Sequence, residues 1–145
     1  MKVRCSLLLF LLAAILITAG CTHNKTIEGF SATNWSEIGR QAIDAKRWNE
    51  ALNAYNKAID LNPNDASAYN NRGLAYDNLN KDDLAIADYN KAIELNPKDA
   101  DAYYNRGNAY GRLGNSTYAN QDLKIAAKLG NIFAQKSLKE KGITW

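Results

Sequence analysis

Between residues 32 and 133 the apolar and small side chains recur at steps of three and four, as at 69, 73 and 76 and again at 85, 89 and 92. Those steps place them on one face of an α-helix and leave the intervening polar residues on the other. Pro63 and Pro97 close one helix of each pair, because proline lacks the amide that would continue it. Asp65 and Asp99 stand where a carboxylate can cap the helix that follows. The pattern therefore predicts pairs of amphipathic helices, each with a stripe to bury. Two segments depart from it. Residues 1–20 carry Lys2 and Arg4 and then an apolar run from Leu7 to Ile17, and residues 21–31 are polar and aperiodic. The tail, "NIFAQKSLKEKGITW", offers a further short helix with Asn131 as cap and Gly142 as stop. Residues 134–145 are expected to cover the apolar edge of the last pair, with Trp145 as part of that cover.

The pairs are copies. Residues 56–72, "NKAIDLNPNDASAYNNR", and 90–106, "NKAIELNPKDADAYYNR", share 13 of 17 residues at an offset of 34. The same offset joins Gly39, Gly73 and Gly107, joins Ala51, Ala85 and Ala119, and joins Tyr55, Tyr89 and Leu123. A glycine inside a helix costs about 1 kcal/mol relative to alanine. Its return at one period implies that the missing side chain lets the partner helix, through Ala85 or Ala119, come close.

This pattern of aromatic, glycine, tyrosine, alanine and proline every 34 residues resembles the tetratricopeptide repeat. The resemblance implies an all-α fold: a right-handed solenoid of three antiparallel helix pairs (32–65, 66–99 and 100–133) plus a C-terminal capping helix. The first unit has Ala42 where the others have Tyr76 and Tyr110, and the third has Leu123 and Asn131 in place of tyrosine and proline. Where the family usually has leucine, this chain has Arg72 and Arg106, and Asp88 and Asp122 accompany them, while the first unit has Ile38 and Ala54. Both members change together. We expect Arg72 with Asp88 and Arg106 with Asp122 to form partly buried ion pairs, since a buried guanidinium needs a carboxylate.

Composition narrows the function. With 46% hydrophobic and 23% charged residues and a formal charge of +3, the chain has no field suited to nucleic acid. Its two cysteines, Cys5 and Cys21, precede the repeats, so the folded part can hold neither a disulfide framework nor a thiolate metal site. The sole histidine, His23, lies in the same polar stretch. No nucleophile and base are set together and no phosphate-binding glycine loop is present, so neither catalysis nor a cofactor or metal is expected.

The N-terminus reads as an export signal, too short to cross a bilayer comfortably. "TAGC" at 18–21 resembles a bacterial lipobox, though Thr18 replaces the usual leucine. That resemblance implies a lipid on Cys21 once residues 1–20 are removed, with residues 21–31 as a flexible tether reaching at most ~35 Å. The alternatives are a cleaved leader with a free Cys21 and an uncleaved signal anchor. Thr22 after the cysteine implies the outer membrane, facing the periplasm, if the host is Gram-negative. Otherwise the outer face of the cytoplasmic membrane is expected.

On the first helix of each pair a second stripe lies beside the core stripe: Ser36, Arg40 and Ile43; Asn70, Asn71, Leu74 and Asp77; Tyr104, Asn105, Asn108 and Gly111 with Arg112. In the family such positions line a concave groove that holds an extended peptide or a partner's helix. Asparagine offers donors and an acceptor, so this stripe can satisfy a main chain whatever its side chains. Each asparagine alone also suits a hydrated surface. Chaperone-binding members clamp a terminal carboxylate with lysines, asparagines and an arginine. Of those places only Asn71 matches, the others holding Ser36, Arg40, Asp101 and Asn105. The expected function is a membrane-anchored adaptor for an envelope protein or peptide. A self-associating structural component, as a homodimer, is the alternative.

Overall fold

The computed structural model describes residues 29–145; the leader, Cys21, His23 and most of the tether lie outside the described residues. The described residues form seven helices in order: α1 (Ala32–Asp44), α2 (Trp48–Leu61), α3 (Ala66–Asn78), α4 (Asp82–Leu95), α5 (Ala100–Arg112), α6 (Ser116–Lys128) and α7 (Ile132–Glu140). No strand occurs among the described residues. The packing is tightest within α1/α2, α3/α4 and α5/α6, each pair then packs on the next, and α7 lies on α6. This is three stacked hairpins with a closing helix, and none of its helices is long and apolar enough to cross a membrane.

The helix ends follow from the residues found there. The Ala68 N–H donates to the Asp65 side chain at 3.1 Å, and Asp99 accepts from Asp101 and Ala102 at 3.0 and 3.1 Å. Helices α2 and α4 stop at Leu61 and Leu95, two residues ahead of Pro63 and Pro97. The closing helix starts at Ile132 rather than at 134, because Asn131 accepts the Ala134 N–H at 2.8 Å and so caps it. It ends before Gly142, whose φ of +66° turns the chain away. Trp145 departs from expectation. It is exposed, while Ile143 supplies the packing against the last core.

Three small cores run along the array, as a solenoid requires. The first gathers Ala42, Ala51, Tyr55, Ala58, Ile59, Ala68 and Ala75. The second joins Ala85, Ile86, Tyr89 and Ala109. The last holds Leu123, Ala126 and Ala127 under Ala134 and Leu138 of α7. Alanine dominates because the helices approach closely. Tyr55 and Tyr89 are the large exceptions: each is fully buried, and burial pushes the Tyr55 hydroxyl up to about 12 and Tyr89 higher still.

Those two rings correct the expected role of the glycines. A Cβ on Gly39 would lie 2.7 Å from the Tyr55 ring, and one on Gly73 would lie 2.7 Å from the Tyr89 ring. The glycines make room for tyrosine, not for Ala51 or Ala85. Only in the third hairpin, where Leu123 replaces the tyrosine, does the alanine matter: a Cβ on Gly107 would stand 3.2 Å from the Ala119 carbonyl oxygen.

Glycine-to-alanine substitutions should therefore differ by position. Gly73→Ala drives a methyl into a ring that has nowhere to go, and an overpacked core costs about 1–3 kcal/mol. Gly107→Ala should cost less, and Gly111→Ala, with nothing nearer than 3.9 Å, should stabilise by up to ~1 kcal/mol through helix propensity. Urea denaturation of the three variants checks the order; a neutral Gly73→Ala would contradict it.

Candidate functional site

The first helices of neighbouring hairpins touch, α1 with α3 and α3 with α5, whereas the second helices share no comparable contact. The array is consequently pinched on the side of α1, α3 and α5, which makes that side the inner face. Residues one helical turn apart on these helices present the stripe expected from the sequence. Asn70, Asn71, Leu74, Tyr104, Asn105 and Asn108 are all half-buried on it. Asn105 donates from Nδ2 to Asn70 Oδ1 at 3.2 Å, so the amides of α3 and α5 form the first rung of a ladder across two repeats.

The two arginines assigned to the stripe are committed within the protein. Arg40 donates to Glu37 at 2.6 and 2.9 Å and to Asp44 at 2.8 Å. Its hydrogen bond holds the Glu37 carboxyl at about 2. Arg112 reaches back from α5 to Asp82 at 2.7 and 2.9 Å and also contacts Asp77. It ties the third hairpin to the second. At the other end of the stripe Ser36 is half-buried, with its hydroxyl lacking a partner among the described residues.

Behind the stripe lies a brace. Arg72 Nε and Nη2 donate to the two oxygens of Asp88 at 2.8 and 2.7 Å. Its Nη1 donates to Asn56 Oδ1 of the preceding hairpin at 2.8 Å. Arg106 repeats this with Asp122 at 2.7 and 2.8 Å and with Asn90 at 2.7 Å. Each guanidinium also sits 5.4 Å from a tyrosine ring, Tyr69 or Tyr103. The bond to the carboxylate raises the pKa of both arginines. The sequence reading paired the arginines with the aspartates but missed Asn56 and Asn90, although the recurring "NKAI" carries them.

The aromatic at the far end of the inner face was also missed. Phe133 of α7 stacks at 6.0 Å on Tyr104. Measured from its cap Asn131, Phe133 stands where Asp101 stands from Asp99, an offset of 32 rather than 34, so a fixed frame overlooks it. Among the described residues no group of His, Cys, Asp or Glu could hold a metal ion.

Comparison with known proteins agrees with this geometry. The family profile described as TPR repeat matches residues 39–80 and 78–114, and that described as tetratricopeptide repeat matches 100–129. The chain belongs to the tetratricopeptide repeat family. Among solved structures it is similar to the Arabidopsis OM64 TPR domain, at 32% identity and a TM-score of 0.71 over 77% of this chain and 96% of that one. It is also similar to the first TPR of Spaghetti (RPAP3), solved bound to the HSP90 peptide SRMEEVD, at 29% identity and a TM-score of 0.72 over 76% of this chain and 89% of that one. A curated relative, small glutamine-rich tetratricopeptide repeat-containing protein 2 of Mycosarcoma maydis, is 42% identical over 50 residues, 34% of this chain and 14% of that protein. Such repeats serve protein interaction.

Removing one partner of the brace tests its weight. Asp88→Ala leaves Arg72 with its charge half out of water, a loss of about 2–4 kcal/mol, which thermal denaturation would read as a lowered Tm. Arg72→Leu combined with Asp88→Ala should recover much of it, because an apolar pair carries no stranded charge. Equal Tm values for the native chain and Asp88→Ala would refute the assignment.

Proposed function

We propose that this protein is an interaction adaptor of the bacterial envelope, held to a membrane by a lipid on Cys21, which grips an extended peptide segment on the inner face of α1, α3 and α5. The observation that carries the reading is the Asn70–Asn105 pair with Asn71 and Asn108 beside it. Each side-chain amide has two donor hydrogens and an oxygen with two lone pairs. One contact between Asn70 and Asn105 leaves most of that capacity for a guest's main chain, on a half-buried surface where unmet polar groups are costly.

The neighbours sharpen the choice of guest. The Spaghetti domain was solved with an acidic peptide, and chaperone-binding members of the family clamp a terminal carboxylate with cations. Here the clamp places hold Ser36, Arg40, Asn71, Asp101 and Asn105. Arg40 is already occupied by two carboxylates, and Asp101 would repel a third. An internal stretch of chain suits this face better than an acidic C-terminus.

In a crosslinking pull-down from intact cells, the double variant Asn71→Ala, Asn105→Ala should lose the partner captured by the native chain while keeping its helical circular dichroism. Undiminished capture would end the groove reading.

The anchor rests on "TAGC" and is tested separately. Mass spectrometry of the mature protein should find a diacylglyceryl group on Cys21 as the first residue. An intact leader, or an unmodified Cys21, would remove the anchor from the proposal.

A further inference from the structure

Phe133 is 62% exposed. Its ring lies 6.0 Å from that of Tyr104, tilted by 35°. Asp101 is one turn ahead of Tyr104 on the same face of α5. The Asp101 carboxylate is not loose: Oδ1 accepts from Asn131 Nδ2 at 2.7 Å, and Asn131 is buried as the cap of α7. One polar link thus fixes the carboxylate to the helix that carries Phe133. Its other oxygen takes no hydrogen bond from the described residues. Two aromatic rings and a positioned, half-spent carboxylate meet at one end of the asparagine stripe.

We propose that Asp101, Tyr104 and Phe133 form a receptor for one cationic side chain, arginine in particular, of the peptide held in the groove. The assignment rests on the groove reading above and adds the chemistry of its guest. An aromatic face attracts a cation through its quadrupole. A planar guanidinium can stack on a ring while its edge donates to a carboxylate, which an ammonium cannot do equally well. The protein builds the same combination for itself twice, with Arg72 beside Tyr69 and Asp88 and Arg106 beside Tyr103 and Asp122. At Asp101, Tyr104 and Phe133 the carboxylate and rings are present without an arginine from the described residues. Lys98 precedes α5, and Lys136 stands one turn after Phe133 on α7. Both are exposed, where water and salt weaken their repulsion.

The test is an NMR titration of the full-length chain in neutral detergent with N-acetyl-arginine methylamide, set against the norleucine and glutamate analogues. Saturable shifts of the Tyr104 and Phe133 ring signals are expected with the arginine compound alone. Phe133→Ala and Asp101→Asn, both exposed changes that leave the cores intact, should each weaken binding by roughly two- to fivefold. Equal shifts with norleucine would overturn the assignment, as would indifference to Asp101→Asn, or ring shifts that follow protein concentration without any probe, the mark of a second copy seated on Phe133. The two readings fail separately. Loss of partner capture in the asparagine variant with no arginine binding sinks this receptor alone, while arginine binding together with undiminished capture by that variant sinks the groove alone.

Discussion

The structure depends on a tyrosine ring pressed against a glycine. Tyr55 under Gly39 and Tyr89 under Gly73 fix how near the two helices of a hairpin can come, because the rings are fully buried and the glycines have no side chain to hold them off. Each hydroxyl is buried without a partner among the described residues, a cost that only dense packing around the ring can offset. Alanine at 51, 58, 85 and 92 supplies that density. A hairpin so closed packs its first helix on its own second helix and on the hairpin before, and the face left over becomes the inner surface of the stack.

Stacking uses a second device besides the three small, alanine-rich cores. The Arg72 and Arg106 braces and the Arg112 contacts provide it, each joining one hairpin to the one before. Leucine would pack there without the desolvation cost of a charge. What the arginine adds is a directed contact: Asp88 or Asp122, within the same hairpin, fixes the guanidinium, and its remaining edge donates to Asn56 or Asn90 of the hairpin before, so a stack slipped by a residue loses that hydrogen bond, at a cost of about 1–3 kcal/mol. The first described hairpin has Ile38 at the matching place, and among the described residues no hairpin lies before it.

Much of this was legible in the chain. The three-and-four spacing gave the helices, Asp65 and Asp99 the caps, and the joint change at 72 and 88 gave the ion pairs, because charge compensation leaves a trace in both partners at once. Contacts across hairpins left a fainter trace. Asn56 and Asn90 recur, but so do many residues of a repeat, and nothing in a period of 34 distinguishes a hydrogen-bonded asparagine from a hydrated one. The role of the glycines was half legible: the need for space showed, whereas its occupant, a ring from the second helix, depends on how the helices are rotated. Phe133 was hidden by the two-residue shortening before α7, which slides the closing helix out of the repeat's frame.

The same internal economy decides what the inner face has left to offer a guest. Arg40 and Arg112 are consumed by Glu37, Asp44, Asp77 and Asp82, so neither presents an open positive charge to a ligand. The side chains with unused capacity include the Ser36 hydroxyl, the asparagine amides, which do not discriminate sequence, and the Asp101 carboxylate, which favours a cation. A surface of this kind gains affinity from the main chain of its guest and selectivity from one end. In the proposed reading that division explains why the chain can depart from four of the five carboxylate-clamp positions and still keep a groove: the departures at Asp101 and Asn105 remove attraction for an acidic terminus, and the first of them, beside Tyr104 and Phe133, replaces it with attraction of the opposite sign.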